Sequence, residues 1–148
     1  MNTAVKTDNI SKTYPGVLAN SNVSITINAS SIHAVVGENG AGKSTLMKIL
    51  YGMIKPDSGN IEIFNNAASI SSPKEAINLG IGMVHQHFML AKNLTVLENI
   101  ILGIDRASLK NLGLSKYKKQ IQEVMKTYSL DIDLNMFVDE LSVGEKQR

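Results

Sequence analysis

The chain has 148 residues, of which 43% are hydrophobic and 19% charged, a composition typical of a folded globular domain. Its formal net charge of +2 is too small to predict a nucleic-acid-binding surface, and the lack of cysteine excludes disulfides and cysteine metal sites. No apolar run is long enough to predict a membrane span, and the amino terminus, MNTAVKTDNI, does not resemble a signal peptide.

The first part of the chain predicts strands and turns around a single helix. Two β-branched segments predict strands, NVSITIN (22–28) and SIHAVVG (31–37), and the second leads into a glycine-rich turn. A helix follows, because apolar residues recur there at helical spacing, and Gly52 and Pro56 end it. The apolar residues that define this helix are Leu46, Ile49, Leu50 and Met53.

Three short elements come next. KPDSGNIEIF (55–64) predicts a turn and then a strand, and SSPKEAINLG (71–80) predicts a short capped helix that ends at Gly80. IGMVHQ (81–86) predicts another short strand.

Beyond residue 86 the pattern becomes helical, in TVLENIILGI (95–104) and SKYKKQIQEVMKTYSL (115–130). The apolar face predicted for the second helix consists of Tyr117, Ile121, Val124 and Tyr128. The lysines of this helix are interpreted as a solvated face: Lys116, Lys118 and Lys119. We therefore expect a strand-rich α/β part over residues 1–86 and a helical part over residues 87–148.

GENGAGKST (37–45) carries the most specific chemistry, because it fits the phosphate-loop pattern G-x-x-x-x-G-K-[ST] between a predicted strand and a predicted helix. Glycines there let backbone N–H groups turn toward an anion, and the helix start adds its positive dipole end. Lys43 can reach the β- and γ-phosphates of a nucleotide, and the Ser44 hydroxyl suits Mg²⁺. The alternative is a glycine-rich turn with an incidental lysine. The predicted nucleotide-binding residues of the loop are Gly37, Glu38, Asn39, Gly40, Ala41, Gly42, Lys43, Ser44 and Thr45.

Together with this loop, three other stretches resemble the ATP-binding subunit of an ABC transporter. Tyr14, in SKTYPGV, lies upstream of the loop, where that family places an aromatic ring against adenine; by itself it would be an ordinary packed surface aromatic. Gln86 matches the family's Q-loop glutamine, which the resemblance assigns to Mg²⁺, to the attacking water and to the link with the transmembrane partner.

The third stretch, LSVGEKQR (141–148), resembles the ABC signature motif LSGGQ. Ser142 and Gly144 match that motif, whereas Val143 and Glu145 depart from it. In the family the motif contacts the γ-phosphate on the other cassette of a head-to-tail dimer, and a helix start is a suitable anion contact. By itself the stretch would be an ordinary helix N-terminus.

The resemblance covers essentially the whole chain and implies the α/β P-loop NTPase fold of an ABC ATPase cassette. Such a cassette has an antiparallel β subdomain and an α-helical subdomain, and this one is expected to be incomplete at its C-terminal end. MVHQHFML, LTVLENI and LSVGE make the chain most similar to ATPases of simple-sugar and nucleoside importers.

The family's chemistry is ATP hydrolysis that energises transport. The resemblance implies ATP and Mg²⁺ as cofactors, catalytic roles for Lys43 and Gln86, and Mg²⁺ contacts from Ser44 and Gln86. It implies ABC permease subunits and a second cassette as partners, a solute-binding protein as an indirect one, no nucleic acid, and a peripheral place at the cytoplasmic face of the membrane.

The family's Walker B Asp, catalytic Glu and switch His follow the signature helix and do not occur before Arg148. We therefore expect these 148 residues alone to be poorly stable and to hydrolyse ATP negligibly. Two other interpretations stay open: an ABC ATPase of DNA repair or the ribosome, and a truncated, non-catalytic ATP-binding fragment.

Two features near residue 86 have more than one interpretation. HFMLAKNLTV (87–96) is apolar enough for a core, yet in the family this region forms the groove for a permease helix. His85 and His87 are expected to be surface or packing residues, since no third metal ligand lies nearby in the sequence.

Overall fold

The chain divides into two units, Met1–Val84 and His85–Arg148, named here the β unit and the helical unit. The structure, a computed structural model, describes residues 2–85, 89–104 and 114–147. Gln86 and His87 lie outside these ranges.

The β unit contains a four-stranded antiparallel sheet in the order β2-β1-β3-β4. Its strands are β1 (Thr3–Tyr14), β2 (Val17–Asn28), β3 (Ser58–Ile63) and β4 (Asn66–Ala68). The β1–β2 register shifts between Thr7 and Ile10, where Asn9 has a φ of 50°. Such bulges increase the local twist of the hairpin.

Two helices pack on this sheet, α1 (Lys43–Leu50) and α2 (Pro73–Asn78). The buried residues of α1 are three of the four predicted, Leu46, Ile49 and Leu50. Met53 lies beyond the end of α1 and is exposed, which corrects its predicted place on the helix. The remaining buried residues of this core come from the sheet, its connections and α2: Ile10, Ile61, Ile63, Ile70 and Ala76.

The helical unit consists of helices and loops. Its elements are α3 (Val96–Ile104), α4 (Leu114–Thr127), a 3₁₀ turn (Val138–Glu140) and α5 (Val143–Gln147). Leu97, Ile101 and Leu134 form its buried core, and the backbone N–H of Leu97 donates to the Leu134 carbonyl over 2.9 Å. This bond ties the first turn of α3 to the segment that follows α4.

The apolar face of α4 differs from the predicted one. Tyr117, Ile121 and Met125 pack against the core, whereas Val124 and Tyr128 are exposed. The packed residues are spaced by four, so they lie in one row along the helix. Met125 fits this row because its position is four residues after Ile121, while Val124 is turned away.

Two predicted strands do not form. Residues 31–37 and the described part of 81–86 have no strand structure, and Ile32, Val36 and Val84 are exposed. β-branched residues favour a strand only when a neighbouring strand supplies hydrogen bonds and an apolar surface, and none of the four described strands pairs with these segments.

None of the helices within the described ranges combines the length and apolar character that a bilayer span requires.

Ile49 is fully buried at the centre of the β unit's core, and truncating it would leave a cavity there. We expect Ile49→Ala to lower the free energy of unfolding by about 2–5 kcal/mol. Chemical denaturation measures this change. Ile77→Ala on α2 is the control. Because Ile77 is exposed, this change should alter the free energy of unfolding by no more than about 0.5 kcal/mol. Equal costs for the two variants would contradict the assigned core.

Candidate nucleotide-binding site

The phosphate loop leads directly into α1, which begins at Lys43, so the predicted helix after the glycine-rich turn is present. Gly42 is the N-cap residue, with a φ of 84°, and gives no side-chain hydrogen bond. The first turn of α1 is described in full and carries no acidic residue. Since the first N–H groups of a helix lack intrahelical partners, this helix start presents unneutralised donors.

Lys43 folds back onto the loop that precedes it. Its Nζ donates to the carbonyl oxygens of Gly37 over 2.6 Å and Glu38 over 2.8 Å. The ammonium is therefore held against the loop backbone by two neutral acceptors. A phosphate would be a stronger acceptor for the same ammonium, because a hydrogen bond between two ions is stronger than one from an ion to a neutral group.

The loop lies directly against β2. A Cβ added to Gly42 would collide with the backbone oxygen of Ala19 and lie 2.8 Å from Nδ2 of Asn20. Asn20 is 5% exposed, and its Nδ2 donates to the Gly42 carbonyl over 3.3 Å. The same carbonyl accepts the Leu46 N–H over 3.0 Å, the first hydrogen bond of α1. Asn20 thus holds the residue from which the helix starts.

Sequence reasoning does not single out Asn20. A polar residue that follows the apolar Leu18 and Ala19 within a strand is a signal of modest strength. Its Oδ1 is buried and has no hydrogen-bond partner among the residues that the structure describes.

Tyr14 is the last residue of β1 and is 37% exposed. It pairs with Val17 of β2 across the turn Pro15–Gly16, where Gly16 has a φ of 77°. The Nζ of Lys12 lies 5.9 Å from the centre of the Tyr14 ring, within cation–π range. Tyr14 and Lys12 are two residues apart on one strand, so their side chains share a face.

Asp57, just before β3, links this strand end to the rest of the sheet. Its carboxylate accepts from Lys12 Nζ over 2.6 Å and from the Thr13 N–H over 2.7 Å. Its own N–H donates to the Ser11 carbonyl over 2.9 Å. The Lys12 hydrogen bond, followed by that of the Thr13 N–H, lowers the pKa of Asp57 below its ordinary value. Asp57 therefore stays ionised through the neutral range.

The signature residues form the start of α5 in the helical unit. The Glu145 carboxylate accepts from the Ser142 N–H over 2.8 Å and from the Ser142 hydroxyl over 2.6 Å. In return, Ser142 Oγ accepts the Glu145 N–H over 3.3 Å. This reciprocal pattern is a capping box. It engages both donors of Ser142, a residue of the motif that the family resemblance assigns to phosphate contact.

Val143 and Gly144 lie in the first turn of α5, and Val143 is exposed. A Cβ added to Gly144 would meet nothing within 4 Å. Glycine within a helix costs about 1 kcal/mol relative to alanine, and no packing inside the unit requires it here. The residue therefore suits a close approach from outside the unit.

The other candidates are spread over the segment around residue 86. Gln86 and His87 lie outside the described residues, and His85 is half-buried. Within the described ranges, no group of three His, Asp or Glu side chains could hold a metal ion. Met89 and Leu90 are exposed, so at these two positions the apolar stretch is not core.

The family model for the ABC transporter matches residues 20–148. The chain belongs to the ABC transporter family. It is 41% identical over 97% of its length to the glucose import ATP-binding protein TsgD13 of Haloferax volcanii. It is 43% identical over 99% of its length to the nucleoside import ATP-binding protein NupA of Lactococcus lactis. The resemblance to sugar and nucleoside importer ATPases is thereby confirmed.

Solved structures show the same fold. A nucleotide-free ATP-binding cassette from an ABC transporter matches with a TM-score of 0.79 and 28% identity, over 98% of this chain and 61% of that one. A dimeric bacterial ABC transporter cassette matches with a TM-score of 0.73 and 28% identity, over 97% of this chain and 65% of that one. The predicted fold class, a P-loop ABC cassette, is confirmed. The chain spans 31% and 29% of the length of TsgD13 and NupA.

Gly42 tests the assembly of the phosphate loop. We expect Gly42→Ala to abolish measurable nucleotide binding, because a Cβ there displaces β2 or the start of α1. It should also lower the free energy of unfolding by more than the roughly 1–2 kcal/mol of a left-handed alanine. Calorimetric titration with ATP and chemical denaturation provide the two readouts.

Gly80→Ala is the matched control, since Gly80 has a φ of 85° but no atom within 4 Å of the place that a Cβ would occupy. It should lower the free energy of unfolding by the roughly 1–2 kcal/mol of a left-handed alanine and leave the affinity for nucleotide unchanged. Equal binding by the two variants would contradict the role of the Gly42 contact.

Proposed function

We propose that this chain is the nucleotide-binding part of an ATPase subunit that energises import of a small solute, a simple sugar or a nucleoside. The observation that carries the proposal is the phosphate loop at an uncapped helix start, with the Lys43 ammonium held beside it. The names of TsgD13 and NupA support import of these two solute classes.

Within this proposal each loop group has a physical role. The backbone N–H groups at the start of α1 bind phosphate oxygens, and Lys43 transfers its hydrogen bonds from two carbonyls to the β- and γ-phosphates. Tyr14 stacks on adenine. Catalysis then consists of placing the phosphates and spreading their developing charge.

The residues present fit a hard cation. Ser44 is exposed in the first turn of α1, and its hydroxyl is an oxygen ligand of the kind that Mg²⁺ prefers. We propose Ser44 and Gln86 as the groups that hold Mg²⁺, which when bound offsets charge on the phosphates. Gln86 also contacts the attacking water in this proposal.

The partners follow from the same proposal. Ser142, Val143, Gly144 and Glu145 serve a second cassette in a head-to-tail dimer, and the dimeric cassette with the same fold supports such a pairing. Permease subunits bind near the exposed Met89 and Leu90 and place the protein peripherally at the cytoplasmic face of the membrane. A solute-binding protein acts through the permease, and nucleic acid is no partner.

We further propose that residues 1–148 alone bind nucleotide without turning it over. Hydrolysis needs a positioned water and settled charge on the phosphates, and the Asp and Glu that the resemblance assigns to these tasks do not occur in this stretch.

Lys43 tests the main proposal in the full-length gene product, assembled with its permease. We expect Lys43→Met to reduce ATP hydrolysis at least about 100-fold, in line with the loss of one group that stabilises transition-state charge. Uptake of labelled sugar or nucleoside should fall with it. A coupled phosphate assay and vesicle uptake measure the two effects.

Lys48→Met is the matched control, because Lys48 is an exposed lysine in the last turn of the same helix. It should leave both rates unchanged. Hydrolysis that persists in Lys43→Met would contradict the assigned site, and hydrolysis without uptake of any solute would favour a non-transport ATPase.

Glu145 tests the signature residues. Its carboxylate occupies the donors of Ser142, so in our proposal it must be displaced before the partner's γ-phosphate can bind. We expect Glu145→Gln to promote ATP-dependent dimerisation a few-fold, because a neutral amide competes less with phosphate and repels it less. Analytical ultracentrifugation with ATP measures the dimer constant.

Glu98→Gln controls for loss of a helix cap, since Glu98 makes the same bonds to Thr95 at the start of α3. It should not alter dimerisation. Weaker dimerisation of Glu145→Gln would show that the carboxylate supports the interface instead of opposing it.

A further inference from the structure

Two charged side chains converge beside Tyr14 from separate segments. Lys12 comes from β1 and Asp57 from the position just before β3, 45 residues later in the chain. Their 2.6 Å hydrogen bond is shorter than the 3.4 Å contact of the other ion pair between these segments, Lys6 with Glu62. The Lys12 side chain is 18% exposed and that of Lys6 is 47% exposed, so Lys12 is the more enclosed lysine, whereas Asp57 at 46% is more exposed than Glu62 at 36%.

Asp57 restrains both the side chain and the backbone of this strand end. One carboxylate oxygen binds the Lys12 ammonium and the other binds the Thr13 N–H. Thr13 stands between two residues of the pair: Lys12, whose ammonium Asp57 binds, and Tyr14, whose ring lies beneath that ammonium. Asp57 thus holds the backbone next to Tyr14 and the ammonium that lies over its ring.

The same strand end is joined to the phosphate loop. Lys12 pairs with Asn20 in the β1–β2 register, and Asn20 donates to the Gly42 carbonyl. Tyr14, Lys12 and the start of α1 therefore belong to one connected set of contacts. Displacement of the β1 backbone at Lys12 relative to the loop would disturb these contacts.

We propose that Lys12 and Asp57 are positioning residues that hold Tyr14 as a platform for the nucleotide base. The proposal rests on the proposed function, because it deepens the role of Tyr14 in binding ATP. The ammonium lies over one face of the ring, and the base stacks on the other. A ring already fixed by the ion pair loses less conformational entropy when the base binds.

The test compares ATP with inorganic tripolyphosphate, which has the phosphates and no base. In the full-length protein, Lys12→Met and Asp57→Asn should each raise the Kd for ATP about two- to five-fold, the range of an exposed cation–π contact. The Kd for tripolyphosphate should stay at the wild-type value. Lys12→Arg should bind ATP like the wild type, since it restores both the charge and the ring contact.

Two controls separate positioning from general stability. Lys6→Met and Glu62→Gln remove the other ion pair between β1 and β3 and should change neither Kd. In a Tyr14→Ala background, Lys12→Met should have no further effect on ATP, because the ring through which it acts is gone. Thermal melting checks that every variant is folded.

The outcomes distinguish the positioning role of Lys12 and Asp57 from the proposed function on which it rests. Equal losses for ATP and tripolyphosphate, unchanged ATP binding, or an additive effect in the Tyr14→Ala background would each overturn the positioning role alone. Failure of the wild type to bind ATP or tripolyphosphate, or binding that ignores Lys43→Met, would overturn the proposed function itself.

Discussion

The contact between Gly42 and β2 is the constraint on which the candidate site depends. The backbone of Ala19 and the side chain of Asn20 approach so closely that no side chain fits at Gly42. The left-handed φ of Gly42 turns the chain from the loop into α1, and Asn20 binds the carbonyl that starts the helix. Glycine is therefore required twice at this position, once for its conformation and once for the space.

The helices of this chain differ in whether their first turn carries an acidic residue. At α2 and α3 a glutamate of the first turn, Glu75 or Glu98, accepts backbone N–H bonds, first among the causes that lower the pKa of each carboxyl. At α5 Glu145 makes the same kind of bonds. These carboxylates neutralise the positive end of their own helix. The first turns of α1 and α4 carry no acidic residue. At α1, which directly follows the phosphate loop, the donors suit an anion that comes from outside.

Local signals in the sequence predict much of this arrangement. The phosphate loop, the helix that follows it and the short capped helix before Gly80 each depend on residues a few positions apart, and α1 and α2 form there. The strand expected over 31–37 is wrong because strand formation depends on a partner distant in sequence, which periodicity cannot identify. On α4 the sequence predicts Val124 as a core residue, whereas the neighbouring Met125 packs against the core. Both side chains are apolar, so the sequence alone does not decide which of the two is buried.

Around Tyr14, too, the sequence predicts the residue itself but not the partners that hold its neighbours. Tyr14 can be singled out from the sequence because it precedes the loop within a familiar pattern, and its place at a strand end agrees with an exposed binding role. Lys12 shares its face by strand periodicity, yet nothing local indicates that Asp57 holds it. Such a partnership depends on the pairing of β1 with β3, which only the folded chain reveals.

The β2 strand connects the two ends of the candidate site. Val17 pairs with Tyr14 at the start of the strand, and Asn20 holds Gly42 three residues later. At about 3.3 Å per residue, these positions are roughly 10 Å apart along β2, and the register with β1 shifts once between them, between Lys12 and Thr13. In our proposal Tyr14 binds the base and the phosphate loop binds the phosphates, so both groups are attached to the same strand. The ligand that fits this arrangement is one that carries a base and phosphates at a matching separation.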